Sequence, residues 1–557
     1  MDIKVIKRNI PEFKDQLLAL GMTELAKGFS TNFYGSDNDR TNVKLSGSIT
    51  LKSIEQLEII ANSLSDNIAA KECTKLRILI EQSDSAIIKS LTTFRKALEV
   101  YLCKGMTNGW LYELNDSGVF VPYLVTQIKQ FKAVPSHNSP AHVQVTIEHN
   151  SPKNSGNRDR RKTVDFELQD VHGGTIPNIL ADKNYFKESQ ELHDNYHKQL
   201  ELYEKYSPLI GHQFIGNGYA SEAGRYGHDV HHLREDKLVN NEDNSTHREI
   251  SQTTSSTVFN GSRISLNWLD EDDASINFDE LIVDELKIPF HPWIKLFSLT
   301  LHENLWMLAD EIRPYIYDDK VTDKLVLPAE HRDLVDVLIY DADVILDDIV
   351  SNKSGGTAIL SKGGAGLGKT LTAEVYSEIV RKPLYSVHAG QLGVDAESIE
   401  KKLDSVLRNA EKWSAILLLD EADVFIRKRG NDLQHCAIVA AFLRKIERYN
   451  GILFMTTNRE DDVDDAILSR CIAVISYSFP EGEELRSIWK VLSKHYGIEL
   501  SDDLISELMG AFDKTSGRDI KEMLKLASKY KSQRNLEINL DIFRKCAMFR
   551  GLKMKNN

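Results

Sequence analysis

The sequence predicts an α/β protein: a phosphate-loop domain with a parallel sheet and a C-terminal helical lid, preceded by a mixed α+β region. Three observations predict it. Residues 363–370 read Gly-Gly-Ala-Gly-Leu-Gly-Lys-Thr, the pattern G-x-x-x-x-G-K-T, between the apolar run Thr357-Ala358-Ile359-Leu360 and the helical stretch Leu371–Tyr376. A second apolar run, Ala415–Leu419, ends in Asp420-Glu421, fifty-one positions after Lys369. A third, Gly451–Met455, ends in Thr456-Thr457-Asn458. Continuous apolar runs suit strands buried on both faces of a parallel sheet. Their polar ends gather at the C-terminal edge, where open α/β sheets bind ligands.

With 557 residues, and roughly 100–200 per domain, the chain should form three or four domains or subdomains. Hydrophobic content of 41% and charged content of 27% are those of an ordinary globular chain. A net charge of −14 argues against broad non-specific nucleic-acid binding, but not against a local basic groove. The five cysteines (Cys73, Cys103, Cys436, Cys471, Cys546) contain no CxxC pair and read as reduced thiols. No signal-peptide apolar core and no run of 18 apolar residues appears, so a cytoplasmic protein without a membrane segment is expected.

The elements follow in order. Residues 1–105 read as a mostly helical region: Leu57, Ile60, Ala61 and Leu64, then Ile87, Ile88, Leu91, Phe94, Leu98 and Tyr101, recur at helical spacing. Gly35–Arg40 reads as loop. Residues 106–290 read as β-rich and mixed, because Val143, Val145 and Ile147, then Val164, Phe166 and Leu168, alternate with polar residues. Between those strands, Asn150–Lys162 reads as a basic hairpin tip: a solvated loop, or a contact to an acidic partner or a nucleic-acid phosphate. Residues 186–210 look helical, and 212–262, Gly- and His-rich, read as a flexible or functional insertion. His193 and His197, and His212, His228, His231 and His232, read as surface histidines; the alternative is zinc, which His pairs four apart can bind, but no HExxH is present. Ile294, Phe297, Leu301, Leu305 and Leu308 share one helical face, giving a helical junction over 291–320. Residues 321–480 form the phosphate-loop α/β subdomain and 481–557 the lid.

The chemistry is carried by a short set of residues. Gly363, Gly364, Ala365, Gly366, Leu367 and Gly368 turn backbone N–H groups toward a β-phosphate, and the helix opening at Lys369, Thr370 and Leu371 adds its positive dipole end. Lys369 would neutralise β/γ-phosphate charge, and Thr370 would hold Mg²⁺ through its hydroxyl. Asp420 would position Mg²⁺, and Glu421 would orient the attacking water. Asn458 could reach the γ-phosphate or that water. Arg470, ending the short helix at 464–470, has no partner in its own nucleotide site and suits a trans-acting arginine finger for a neighbouring copy. Arg518, opening a later helix, would sit over the γ-phosphate from the lid.

This order resembles the AAA proteins within the AAA+ ATPases, over residues of about 320 to 545. The resemblance implies Walker A at Gly363–Thr370, Walker B at Leu417–Glu421, sensor 1 at Asn458, an arginine finger at Arg470 and sensor 2 at Arg518. The segment 323–332 resembles the family's linker, which lies near the adenine. Lys369–Glu374, Arg381–Tyr385 and Asp420–Phe425 resemble a subgroup of fungi, bacteria and phages with a poorly described N-terminal region. Two features depart from the family. Ala389–Ser398, at the pore-loop position, has no aromatic residue, and the finger region has Arg470 where many relatives have two arginines.

The resemblance implies an ATP- and Mg²⁺-dependent ATPase working as a ring, a hexamer by family expectation. The N-terminal half would recognise a protein or nucleoprotein partner for remodelling. A slow ATP-gated switch in a defence or signalling assembly is the alternative. A nuclease or nucleic-acid reader in the N-terminal half has only the basic tip and the histidines at 228–232 in its favour.

Overall fold

The computed structural model describes the chain except residues 1, 30–39, 46–48, 65, 82–86, 103–108, 115–118, 134–139, 151–160, 223–229, 243–253, 256–285, 319, 322–324, 329–330, 335–336, 338–355, 394, 431, 460, 535–537, 553 and 555–557. The loop read at 35–39, most of the basic tip and His228 lie outside the described residues.

The chain begins with an antiparallel pair, Asp2–Ile6 with Arg40–Lys44. Helices Ile10–Ala19, Thr23–Gly28, Leu51–Ser63 and Asn67–Glu81 accompany it. Their core holds Ile3, Val5, Phe13, Leu57 and Ile60. The helix Leu91–Leu102 is grouped by its periodicity with these helices but packs elsewhere: Phe94 lies 5.0 Å, ring to ring, from Phe166 of the next sheet. That antiparallel sheet runs, in spatial order, Arg161–Glu167, His142–Glu148, Phe120–Phe131, Trp110–Leu114, Tyr185–Lys187. The pairing of 142–148 with 161–167 is the expected hairpin. Leu168, however, leaves the strand and opens the short helix Leu168–Val171. A capping box between Glu167 and Asp170 satisfies its first turn and leaves Leu168 exposed.

Two expectations fail next. The "insertion" at 212–262 contains two long strands, Gln213–Glu222 and Val230–Asn240, and the "helical junction" contains Trp293–Ser298, Asn304–Leu308 and Ile312–Pro314. Each successive pair among the first four strands is antiparallel, and Leu305 and Trp306 pair back to Glu222 and Ser221. Four strands thus close into a small barrel, which removes edges, with 312–314 added beside 213–222. The misleading signals have physical causes. Gly216 reads as a loop residue, yet a Cβ there would stand 2.5 Å from Leu238 Cδ1, so glycine serves strand-to-strand approach. The helical spacing at 294–308 spans two strands and their turn. Leu301 lies half-exposed in that turn, and His302 has φ +59°, which no helix contains.

The phosphate-loop domain has five parallel strands in the order Leu384–His388, Ile416–Asp420, Ile452–Thr457, Thr357–Gly363, Ala473–Tyr477. Ile416–Leu419 are all 0% exposed, as a strand covered on both faces requires. Leu417 and Leu419 face the core shared with helices Ala396–Lys412 and Leu433–Ile446, while Ile416 and Leu418 face Val375 and Tyr376 of the helix Lys369–Ile379. Four helices, Gly482–His495, Asp502–Ala511, Gly517–Arg534 and Leu540–Phe549, follow and share a core around Trp489 and Phe543. The barrel docks on the sheet domain through Val239 and Phe297, which join the core of Tyr385 and Trp413. No helix among the described residues is long and apolar enough to cross a membrane.

Candidate nucleotide site

The strand Thr357–Gly363 lies between two parallel neighbours, so its C-terminal end is fixed and the loop that follows must turn at once. The glycines make that turn. Gly363 has φ +147°, and a Cβ there would stand 2.4 Å from the Tyr477 carbonyl oxygen. Gly366 has φ +81°, and a Cβ would stand 2.7 Å from Arg518 Cβ. Loop, last strand and lid therefore approach more closely than any side chain would allow.

Lys369, 7% exposed, donates from Nζ to the carbonyls of Gly363 (2.7 Å) and Gly364 (2.6 Å) and to Asn458 Oδ1 (3.0 Å). The ammonium is thus aimed along the loop by three acceptors. Thr370 Oγ1 donates to Asp420 Oδ1 at 3.0 Å. Thr456 Oγ1 donates to the same oxygen at 2.5 Å and accepts the Glu421 N–H at 3.0 Å. His388 Nδ1 lies 3.9 Å from Asp420 Oδ2. Glu421 itself has φ +53°, a left-handed conformation that costs a non-glycine residue ~1–2 kcal/mol. Strain of this kind concentrates at functional sites.

These groups border one cavity of about 800 Å³, within the size range of small-molecule sites. Ala365, Gly366, Leu367, Gly368, Lys369, Thr370, Leu371, Asp420, Glu421, Asn458 and Arg518 all line it. Gly363 and Gly364 lie behind its wall as acceptors for Lys369. Arg518 arrives on the helix Gly517–Arg534, whose N–H bonds the Gly366 carbonyl at 3.3 Å. Leu325, Leu327, Pro328 and His331 of the linker close one side. Arg470 does not reach the cavity of its own chain: Nη1 donates to the Ala466 carbonyl at 3.0 Å, and Nη2 pairs with Glu447 at 3.3 Å.

Sequence reasoning missed several lining residues: Glu374, Tyr477, Lys521 and Arg550 among them. Two had a local signal, since Glu374 is one helical turn beyond Thr370 and Lys521 nearly one beyond Arg518. Glu374 titrates above the usual carboxylate range. Desolvation is the main cause and the Asp420 charge adds to it, against Lys237 and Lys521, which pull it down. Among the described residues, His193, His197, His212, His231 and His232 do not line the cavity. His193 Nδ1 meets Glu188 at 2.9 Å and its Nε2 meets His197 Nε2 at 2.9 Å, and among the described residues no three His, Cys, Asp or Glu are placed to hold a metal.

The residues fit a nucleoside triphosphate with a hard cation. Glycines leave a cradle that Cβ atoms would fill, Lys369 presents a buried ammonium, and Thr370 with Asp420 forms an all-oxygen donor pair. Comparison with known proteins agrees. Residues 359–478 match the model of the ATPase family associated with various cellular activities (AAA). The chain carries an AAA ATPase domain. The chain is 29% identical over 178 residues to a mitochondrial sorting homolog of Caenorhabditis elegans, covering 30% of this chain and 52% of the relative. It is 27% identical over 179 residues to CD-NTase-associated protein 6 of Escherichia coli, covering 27% and 57%. It is 28% identical over 150 residues to the ATP-dependent zinc metalloprotease FtsH of Ureaplasma parvum, covering 25% and 20%. The chain thus spans about half the length of the first two relatives.

Proposed function

We propose that the chain binds ATP with Mg²⁺ and hydrolyses it at this cavity. We further infer that it works as a ring of copies, six by family expectation, that remodels a protein or nucleoprotein partner recognised by the N-terminal half. The observation that carries the first reading is the convergence of Lys369, Thr370, Asp420, Glu421, Asn458 and Arg518 on one cavity, with Glu421 in a strained conformation.

The roles follow from the contacts. Lys369 takes γ-phosphate charge in exchange for its loop acceptors. Thr370 and Asp420 would hold Mg²⁺, which when bound neutralises charge between the β- and γ-phosphates. Glu421, one residue beyond Asp420, accepts a proton from the attacking water. Asn458, already bonded to Lys369, orients that water or a γ-oxygen. Arg518 brings the lid onto the γ-phosphate. Arg470 supports a site shared between copies, because it points away from its own cavity.

A second reading, an ATP-gated switch that does not thread its partner, has one observation in its favour. At the pore-loop position the chain makes a short 3₁₀ turn, Ala389–Leu392, with no aromatic and with Leu392 buried. The test is ATP hydrolysis across a protein dilution series, with mass measured at each point and Glu421→Gln as control. Turnover that rises with assembly and vanishes in the variant supports the shared-site ATPase. A monomer that binds ATP without concentration-dependent turnover supports the switch. Nucleotide binding in neither state refutes both.

A further inference from the structure

The helix Lys369–Ile379 carries a second carboxylate beyond the cavity, and the N-terminal half holds it. Glu378 lies eight residues past Thr370, about 12 Å along the helix axis at 1.5 Å per residue. Its side chain is 12% exposed, and it does not line the cavity. Both oxygens are engaged from outside the AAA sheet. Oε1 accepts from the Tyr315 hydroxyl at 2.5 Å and from Lys237 Nζ at 3.4 Å, and Oε2 accepts from the Asp318 backbone N–H at 3.0 Å. Lys237 belongs to the barrel strand Val230–Asn240, and its ammonium stands 4.6 Å from the centre of the Tyr315 ring. Tyr315 follows the barrel's last strand, and its N–H bonds the Gln213 carbonyl at 2.9 Å. Lys237 and Tyr315 are therefore fixed to the barrel and to each other, and Asp318 follows Tyr315 three residues on.

A separate contact docks the barrel. Asn241 Oδ1 accepts from Lys412 Nζ at 2.8 Å and from Trp413 Nε1 at 3.1 Å, beside the ring cluster of Phe297, Tyr385 and Trp413. That contact lies at the end of helix Ala396–Lys412, which carries none of the residues aimed at phosphate. Among the described residues the barrel thus grips the domain both through bulk docking and through a contact that ends on the helix bearing Lys369 and Thr370.

We propose that Glu378 is a positioning residue for the nucleotide site, and that its clamp by Tyr315, Lys237 and Asp318 is the route by which an event in the barrel alters ATP turnover. The helix moves as a unit, so a shift at Glu378 is a shift at Thr370. A misplacement of about 1 Å can cost on the order of 100-fold in rate. The proposal rests on the ATPase reading above.

The test uses the full chain, at concentrations where turnover per copy is constant. Glu378→Gln keeps the shape and removes the charge, and Tyr315→Phe and Lys237→Met act from the other side. Expected is a fall in kcat of about 10-fold or more in Glu378→Gln and Tyr315→Phe, with KM within about threefold. The double variant should be no worse than the worse single one, because both break one contact. Asn241→Ala should lower Tm but spare kcat. Full kcat in folded Glu378→Gln and Tyr315→Phe overturns the proposal, as do losses that multiply in the double variant or losses that Asn241→Ala reproduces. Wild-type turnover that is absent, or that survives Glu421→Gln, is a different failure: it refutes the ATPase reading, and this proposal falls with it.

Discussion

Replacing Glu421 by glycine should raise stability and abolish turnover in one step. Among the described residues lining the nucleotide cavity, Glu421 is the non-glycine residue with a left-handed backbone, φ +53°. Relief of that conformation is worth ~1–2 kcal/mol. Glycine gives back ~0.5–1 kcal/mol through the greater freedom of the unfolded chain. The net runs from about 0 to ~1.5 kcal/mol, with a midpoint gain of ~0.75 kcal/mol or about 2–3 °C in Tm for a cooperative unit of this size. Glu421→Gln is the matched control. It keeps the strain and the Thr456 hydroxyl contact to the backbone N–H, so its Tm should stay within about 1 °C of wild type. Both variants lose the carboxylate, and kcat should fall by ~10²–10⁴. Calorimetry without nucleotide gives the first quantity, and steady-state phosphate release gives the second. A glycine variant that melts lower than Glu421→Gln would show that the strain is not stored there. A glutamine variant with more than half the wild-type turnover would remove Glu421 from the chemistry.

Three further outcomes are expected. Lys369→Met removes an ammonium aimed by three acceptors and should weaken ATP binding roughly 10- to 150-fold, the worth of a charge-assisted hydrogen bond, in a fluorescent-nucleotide titration. Arg470→Ala should lower turnover by ~10³ or more with ATP affinity within about twofold, and mixing with Glu421→Gln protein should restore part of it through mixed interfaces. Acid should loosen the N-terminal half through His291. Burial first, and His149 stacked at 3.8 Å, hold that imidazole well below its ordinary range. The folded-state value is depressed, so the contribution is full above about pH 6.5 and is lost as pH falls toward the folded value, by about 1.4 kcal/mol per pH unit. The unfolding free energy should fall as pH drops below about 6.5, and a His291→Gln variant should lose that slope.

The AAA sheet and its loop were legible because their signals are local. Ile416–Leu419 must be apolar throughout to lie between two helical layers, and the carboxylates must follow at once to reach the sheet's edge. The barrel was not legible, because its strands use residues that serve loops elsewhere. Gly216 allows close approach to Leu238, Glu235 sits at φ +57°, and the register shifts between Gly216 and Asn217. Period-two alternation is interrupted at those points, while Ile294 to Leu308 shows a helical spacing by accident. The cavity was half legible. Motif residues lie on consecutive positions, whereas Tyr477 reaches it through the pairing of its strand beside Gly363, and Lys521 and Arg550 through the way the lid folds back. The Glu378 clamp had no sequence signal, because its partners come from 60 to 141 positions away.

If Arg470 acts in trans as proposed, its contacts within its own chain would hold it until copies meet. In the single chain it is held by Glu447 at 3.3 Å and by the Ala466 carbonyl at the end of its own short helix. Both partners of the ion pair are substantially exposed, at 33% and 46% of their side-chain surface. Exposed pairs of this kind are worth ~0–1 kcal/mol, so release toward a neighbour's γ-phosphate costs little beside the ~10³-fold or greater rate gain of a trans-acting arginine. Glu447→Gln should therefore leave kcat at saturation unchanged. It should lower the protein concentration for half-maximal turnover by no more than about fivefold, since ~1 kcal/mol corresponds to roughly that factor. The dilution series that establishes assembly measures this directly. A much larger shift would mean that Glu447 restrains assembly rather than merely holding the arginine. A loss of kcat at saturation would mean that the carboxylate itself takes part in the neighbour's site.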